Sequence, residues 1–138
     1  EIFERDPHPF FQPIFDLASP RIVFGRVALL GDAAFVARPH PGAGTTKGAM
    51  DAAKLADSIA ALGLEQGLAR YEREQRAFGR GVVALGQREG AYLTDQLKPR
   101  AERREQALSW PIEDLIHSHN TRSAALKQVL DDSLRAAG

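Results

Sequence analysis

An apolar run, Val27-Ala28-Leu29-Leu30, leads directly into Gly31-Asp32-Ala33-Ala34; a Pro/Gly-rich stretch, 38–47, then carries the chain into a helical pattern that starts at Gly44. This order constrains the fold more than anything else in the sequence. It reads as a buried strand, a tight turn bearing one carboxylate, a loop, and a helix start built from glycine and small hydroxyl residues. Glycine lets backbone approach a ligand closely, and the first N–H groups of a helix have no intrahelical partner and attract negative charge. Asp32 falls just past the carboxyl end of the strand, where open α/β sheets bind ligands. Capping of its own turn is the plainer alternative for an aspartate there.

The flanks give the coarse organisation. Pro7, Pro9, Pro13 and Pro20 break up Phe10, Phe11, Ile14, Phe15 and Leu17, which argues for extended segments rather than helix. After the loop, Ala49, Ala52, Ala53, Ala56, Ile59 and Ala60 recur at helical spacing over 44–62, and so many alanines suit close packing against a sheet. A second pattern over 64–97 sets Leu68, Tyr71, Phe78, Val82, Leu85 and Leu93 against a polar side of Arg70, Glu72, Arg73, Glu74 and Arg76. Gly79, Gly81, Gly86 and Gly90 weaken it, so a kink or a close helix contact is expected there. Pro111 suits a first helical position, and Ile112, Leu115, Ile116, Leu126, Val129, Leu130 and Leu134 form a stripe that either covers the core or pairs two copies as a homodimer.

Composition then excludes several classes. Lys+Arg and Asp+Glu are equal at 18 each, leaving no net field to draw nucleic acid or an anionic membrane. With 0 cysteines there is no disulfide or thiolate metal site, in keeping with a cytoplasmic setting. No apolar stretch reaches the length of a membrane span. His117 and His119 are two residues apart, which on a helix points them in different directions, so no metal is expected. No Ser/His/Asp set or hydrolytic carboxylate pair is readable.

The Gly-Asp-Ala-Ala core, Pro39, Gly44, and the Asp51-Ala52 step with Leu55-Ala56 resemble the second FAD fingerprint of the aromatic-ring hydroxylases, the single-component flavoprotein monooxygenases. The likeness spans 10–62. Phe35, where many members carry His, favours the 2,6-dihydroxypyridine 3-hydroxylase-like branch. The resemblance implies an α/β fragment: one buried strand of an FAD-binding domain followed by several helices, mostly α by residue count, with a short N-terminal β segment over 12–17 from a substrate domain. The implied divisions are 1–20 for that segment and its crossover, 21–97 for the FAD-binding part, and 98–138 for a charged linker and C-terminal helices.

By the same resemblance, Asp32 accepts from a ribityl hydroxyl of FAD and Pro39 lines the flavin. Amides around Gly44, Thr45 and Thr46 face its pyrimidine end, with Gly31, Gly42 and Ala43 completing the cofactor set. The implied reaction hydroxylates a small, electron-rich aromatic or heteroaromatic ring with NADH or NADPH and O2, the cofactor performing the hard step. His40 is the titratable ring in the loop: either it touches substrate or tunes its ionisation, or it is bonded to a nearby carbonyl. Arg38 either attracts phosphate or phenolate charge or is an ordinary surface arginine. The family's Gly-x-Gly-x-x-Gly turn is not in this sequence, since Gly42, Gly44 and Gly48 are spaced one residue too wide. The expectation is therefore the C-terminal portion of a larger enzyme, with that enzyme's N-terminal portion as its partner. Two other readings remain: a helical interaction module whose loop is a connector, and a flavoprotein with a different reaction such as epoxidation.

Overall fold

The computed structural model describes residues 8, 10, 12–104, 128, 129, 131, 132 and 135. Its frame is a helical stretch, Gly44–Gln96, broken at Gly63, where φ is 74° and ψ is 177°. Only glycine adopts that combination without strain, so the break divides the stretch into α1 (44–62) and α2 (64–96). The chain then folds back sharply: a Cβ at position 67 would lie 2.6 Å from the Ile59 Cα and 2.7 Å from the Ser58 carbonyl oxygen. A hydrogen is all that fits where α2 crosses α1.

Four short strands lie on these helices. β1 (Leu17–Ala18) pairs antiparallel with β4 (Phe35–Val36), with Leu17 opposite Val36 and Ala18 opposite Phe35. β2 (Val23–Phe24) and β3 (Val27–Ala28) form a tight antiparallel hairpin. One turn of 3-10 helix, Gly31–Ala33, links β3 to β4. The core gathers Ile22, Val23, Ala34 and Phe35 from these segments against Leu68, Tyr71 and Val83 of α2. Polar anchors fix the arrangement. The Tyr71 hydroxyl donates to the Leu29 carbonyl at 2.8 Å, and the Glu72 carboxylate accepts the Ile22 and Val23 amides at 2.9 and 2.7 Å. Burial, followed by the nearby Asp51 and Glu72 carboxylates, pushes the Tyr71 hydroxyl well above its usual range.

The result is mostly helical with a few short antiparallel strands, and it corrects several sequence expectations. The buried strand over 27–30 shortens to Val27–Ala28, with Val27 60% exposed. A continuous apolar run is buried on both faces only where both faces are covered; here α2 covers one side, through Leu29 and Leu30. Of the β segment expected at 12–17, Leu17 alone is in a strand, because Pro13 has no N–H to donate and no ladder partner faces 12–16 among the described residues. The helix breaks at Gly63, while the later glycines take the other form expected of them, close contact: a Cβ on Gly81 would lie 2.5 Å from Val129 Cγ1 in the described C-terminal helical residues, one on Gly79 would meet the Phe35 ring of β4, and one on Gly86 or Gly90 would meet Arg38.

The alanine face of α1 also differs from expectation. Ala49, Ala52, Ala53, Ala56 and Ala60 are exposed, while Lys47, Asp51 and Ser58 are buried. No sheet lies over the alanines among the described residues. On α2, Glu74 leaves the expected solvated side and is buried among Lys54, Arg70 and Arg73. The described C-terminal residues are helical, and Val129 packs on the cluster of Ala43, Phe78 and Val82. His117, His119 and most of the expected apolar stripe lie outside the described residues, as do residues 1–7. No described helix is long and apolar enough to cross a membrane, and no cluster of metal-binding side chains occurs among the described residues.

Candidate functional site

The turn after β3, the loop after β4 and the start of α1 converge on a groove of about 600 Å3. It is lined by Asp32, by Gly42, Ala43, Gly44 and Thr45, by Val36 and Ala37, and by the apolar Pro13, Ile14 and Phe15. That volume is in the range of small-ligand and cofactor sites. Asp16 holds that apolar segment in place. Arg38 grips its carboxylate with Nε at 3.1 Å and the terminal nitrogen at 2.5 Å, and the Arg38 amide adds a bond at 3.0 Å. The Arg38 side-chain bond keeps the Asp16 carboxyl below the usual carboxylate range. Arg38 is thereby paired within the protein while it also lines the groove.

The helix start is open. Ala43 precedes α1 without a side-chain cap, so neither Thr45 nor Thr46 takes the capping role the sequence allowed. The first backbone bond runs from the Lys47 amide to the Ala43 carbonyl at 2.7 Å, leaving the N–H groups of Gly44, Thr45 and Thr46 outside the helical ladder. A Cβ at Gly44 would meet nothing within 4 Å. Asp32 is exposed and has no hydrogen-bond or ionic partner among the described residues. An unpaired acceptor and unpaired donors in one groove suit a ligand that offers hydroxyls and a polar, charge-accepting edge.

Behind the groove lies a buried polar network. Lys47 Nζ donates to the Gly31 carbonyl at 3.0 Å and pairs with Asp51 Oδ2 at 2.8 Å. The Gly31 amide donates to the same Oδ2 at 2.8 Å, and Gln75 Nε2 donates to Asp51 Oδ1 at 2.7 Å. Sequence reasoning missed this group. Its signal was the opposite charges of Lys47 and Asp51 at i,i+4, a spacing that puts them on one helix face; nothing local pointed to Gln75.

The groove brings together Asp32, Pro39, Gly42, Ala43, Gly44 and Thr45. Gly31 stands behind it, with its backbone groups taken by the network, and Thr46 is exposed on the first turn without lining it. His40 lies apart from the lining. Its Cε1 packs over Gly90 of α2, 3.2 Å from where a Cβ would sit, and its buried Nδ1 has no partner among the described residues. His40 thus packs against α2, and among the described residues its Nδ1 lacks the local bond that the sequence allowed.

A family model described as FAD binding domain matches residues 17–85. The chain belongs to that family. Over 93 residues it is 38% identical to a 3-(3-hydroxy-phenyl)propionate/3-hydroxycinnamic acid hydroxylase of Burkholderia vietnamiensis, covering 64% of this chain and 17% of the relative. It is 47% identical over 49 residues to a 2,6-dihydroxypyridine 3-monooxygenase of Paenarthrobacter nicotinovorans, covering 36% of this chain and 12% of that protein. The matched segment is thus a small part of either relative's length. No solved structure matches. The residues present fit FAD as a ligand: Asp32 is an unpaired acceptor, the 44–46 amides are unpaired donors, and Gly44 leaves the backbone open to close approach.

Proposed function

We propose that this FAD-binding-family chain contributes the flavin-contacting segment of a monooxygenase that hydroxylates an electron-rich, hydroxylated aromatic or hydroxypyridine ring, with NADH or NADPH as reductant and O2 as oxidant. The observation that carries the reading is the groove that Asp32 and the uncapped start of α1 line together. In this reading 21–97 belongs to the FAD-binding domain and 1–20 is the end of a substrate-domain sheet and its crossover, whose last strand residues, Leu17 and Ala18, pair with β4. Bound flavin supplies the electron and oxygen transfer.

The protein's own part is positioning and electrostatics. Asp32 accepts a hydrogen bond from a ribityl hydroxyl. The 44–46 amides, at the positive end of the helix dipole, stabilise negative charge that develops on reduction. Pro39, Ile14 and Phe15 present apolar surface that excludes water from the ring. In the complete protein, Asp32→Ala should weaken FAD by about 1–3 kcal/mol, the range for a hydrogen bond to a charged group. Since Asp32 is exposed and unpartnered, the apoprotein should melt unchanged. A flavin-fluorescence titration showing the same affinity in both proteins would return Asp32 to the role of a turn residue.

A further inference from the structure

Asp32 carries the cofactor contact in the reading above, yet nothing touching its own side chain holds it in place. What is held is the residue before it. Both backbone polar groups of Gly31 are tied down, the amide by Asp51 and the carbonyl by Lys47. Gly31 sits at φ 58°, and a Cβ there would come within 3.9 Å of the Gly48 Cα, so the turn lies directly on the first turns of α1. Lys47 follows Gly44, Thr45 and Thr46 in the chain and therefore belongs to the same helical turn as those donors. Asp51 is anchored in turn to α2 through Gln75, and Lys47 Nζ lies 5.5 Å from the centre of the Phe35 ring on β4.

We infer that Lys47, Asp51 and Gln75 form a positioning unit that sets the distance between Asp32 and the α1 amides of the cofactor groove. Lys47 and Asp51 are each 1% exposed, and Gln75 is 2% exposed. A buried ion pair loses so much solvation that apolar residues of similar size often serve stability as well or better. Stability alone therefore gives no reason for this group, whereas every bond it makes ends on the Gly31 turn or on the residues that brace it. The inference rests on the proposed FAD reading and extends it from the contacting residues to those that aim them.

The test is a set of double-mutant cycles in the complete protein, read as FAD dissociation constants from fluorescence titration together with apoprotein melting temperatures. Lys47→Met should weaken FAD by about tenfold or more, comparable to losing one charged hydrogen bond. In the Asp32→Ala background the same change should cost less than about twofold, because contacts that share one action are not additive. Gln75→Met removes one bond and leaves the ion pair, so it folds even if Lys47→Met does not; it should weaken FAD by about threefold and lose that effect without Asp32. Asp95→Asn, at the far end of α2, removes ion pairs to Lys98 and Arg104; it should lower the melting temperature and leave FAD affinity unchanged. Equal losses with and without Asp32, or an Asp95→Asn loss as large as that of Lys47→Met, would show a general structural effect and overturn the inference while leaving the functional reading intact. Failure of the wild-type protein to bind FAD, or indifference to Asp32→Ala, would overturn both.

Discussion

Gly79 of α2 touches Phe35 so closely that the smallest side chain should disrupt the fold. A Cβ built at position 79 would lie 2.2 Å from the ring Cδ2 and 2.5 Å from both Cγ and Cε2. Carbon atoms rest about 3.5–4.0 Å apart, so the ring or the helix has to move by more than an ångström. The ring has little room, since Phe35 is 1% exposed and packed with Ile22, Ala34 and Tyr71. Overpacking of this kind costs about 1–3 kcal/mol, and an overlap this deep with a rigid ring belongs at the upper end. Replacing a helical glycine with alanine returns about 0.5–1 kcal/mol. The net expectation for Gly79→Ala is a loss of about 2 kcal/mol, measured as a shift in the urea midpoint at unchanged slope. Phe35→Leu shortens the ring and should relieve the clash, so the double variant should be more stable than the sum of the single changes by at least about 0.5 kcal/mol. A Gly79→Ala protein as stable as wild type would refute the packing of β4 on α2, and with it the place of Val36 in the groove lining.

Two further outcomes follow from the same structure. Gly44→Val has open space around its Cβ and should leave melting unchanged; in the FAD-saturated complete protein it should lower the flavin potential by roughly 7–20 mV, the equivalent of about 0.3–1 kcal/mol of helix-dipole stabilisation. A potential that stays the same or rises in spectroelectrochemical titration would refute stabilisation by the α1 amides. Asp16 and Asp95 are held below their ordinary value of 3.8, mainly by side-chain bonds from Arg38 and Arg104 respectively. Glu74 is raised by burial but brought below its ordinary 4.5 by bonds from Lys54 and Arg70. A lowered folded-state pKa gives stability that is present above the unfolded value and lost as pH falls through the folded one. The urea midpoint should therefore decline once the pH drops below about 5 and keep declining under the ordinary carboxylate range; a flat profile there would show that these pairs do not act.

Much of the local architecture was legible because it depends on near neighbours in the chain. The two helical patterns meet at Gly63, the residue whose backbone the structure places at φ 74°, since a glycine between two apolar periodicities is where a helix gives way. The turn, loop and helix start around Asp32 and Gly44 were likewise readable, because glycine, proline and small polar residues act on the backbone beside them. Burial of polar groups was not legible. Lys47, Asp51, Glu74 and Gln75 look like solvated helix positions by polarity, and Ala52, Ala53 and Ala56 look like core by composition, yet the structure buries the first set and exposes the second. The environment of His40 and Arg38 depended in the same way on Gly90 and Asp16, far away in the chain. A charge can leave water only when partners arrive to replace its solvation. Those partners are brought by the crossing of α1 and α2, so local sequence determined where the elements begin and end, and the tertiary fold decided which of their faces turned inward.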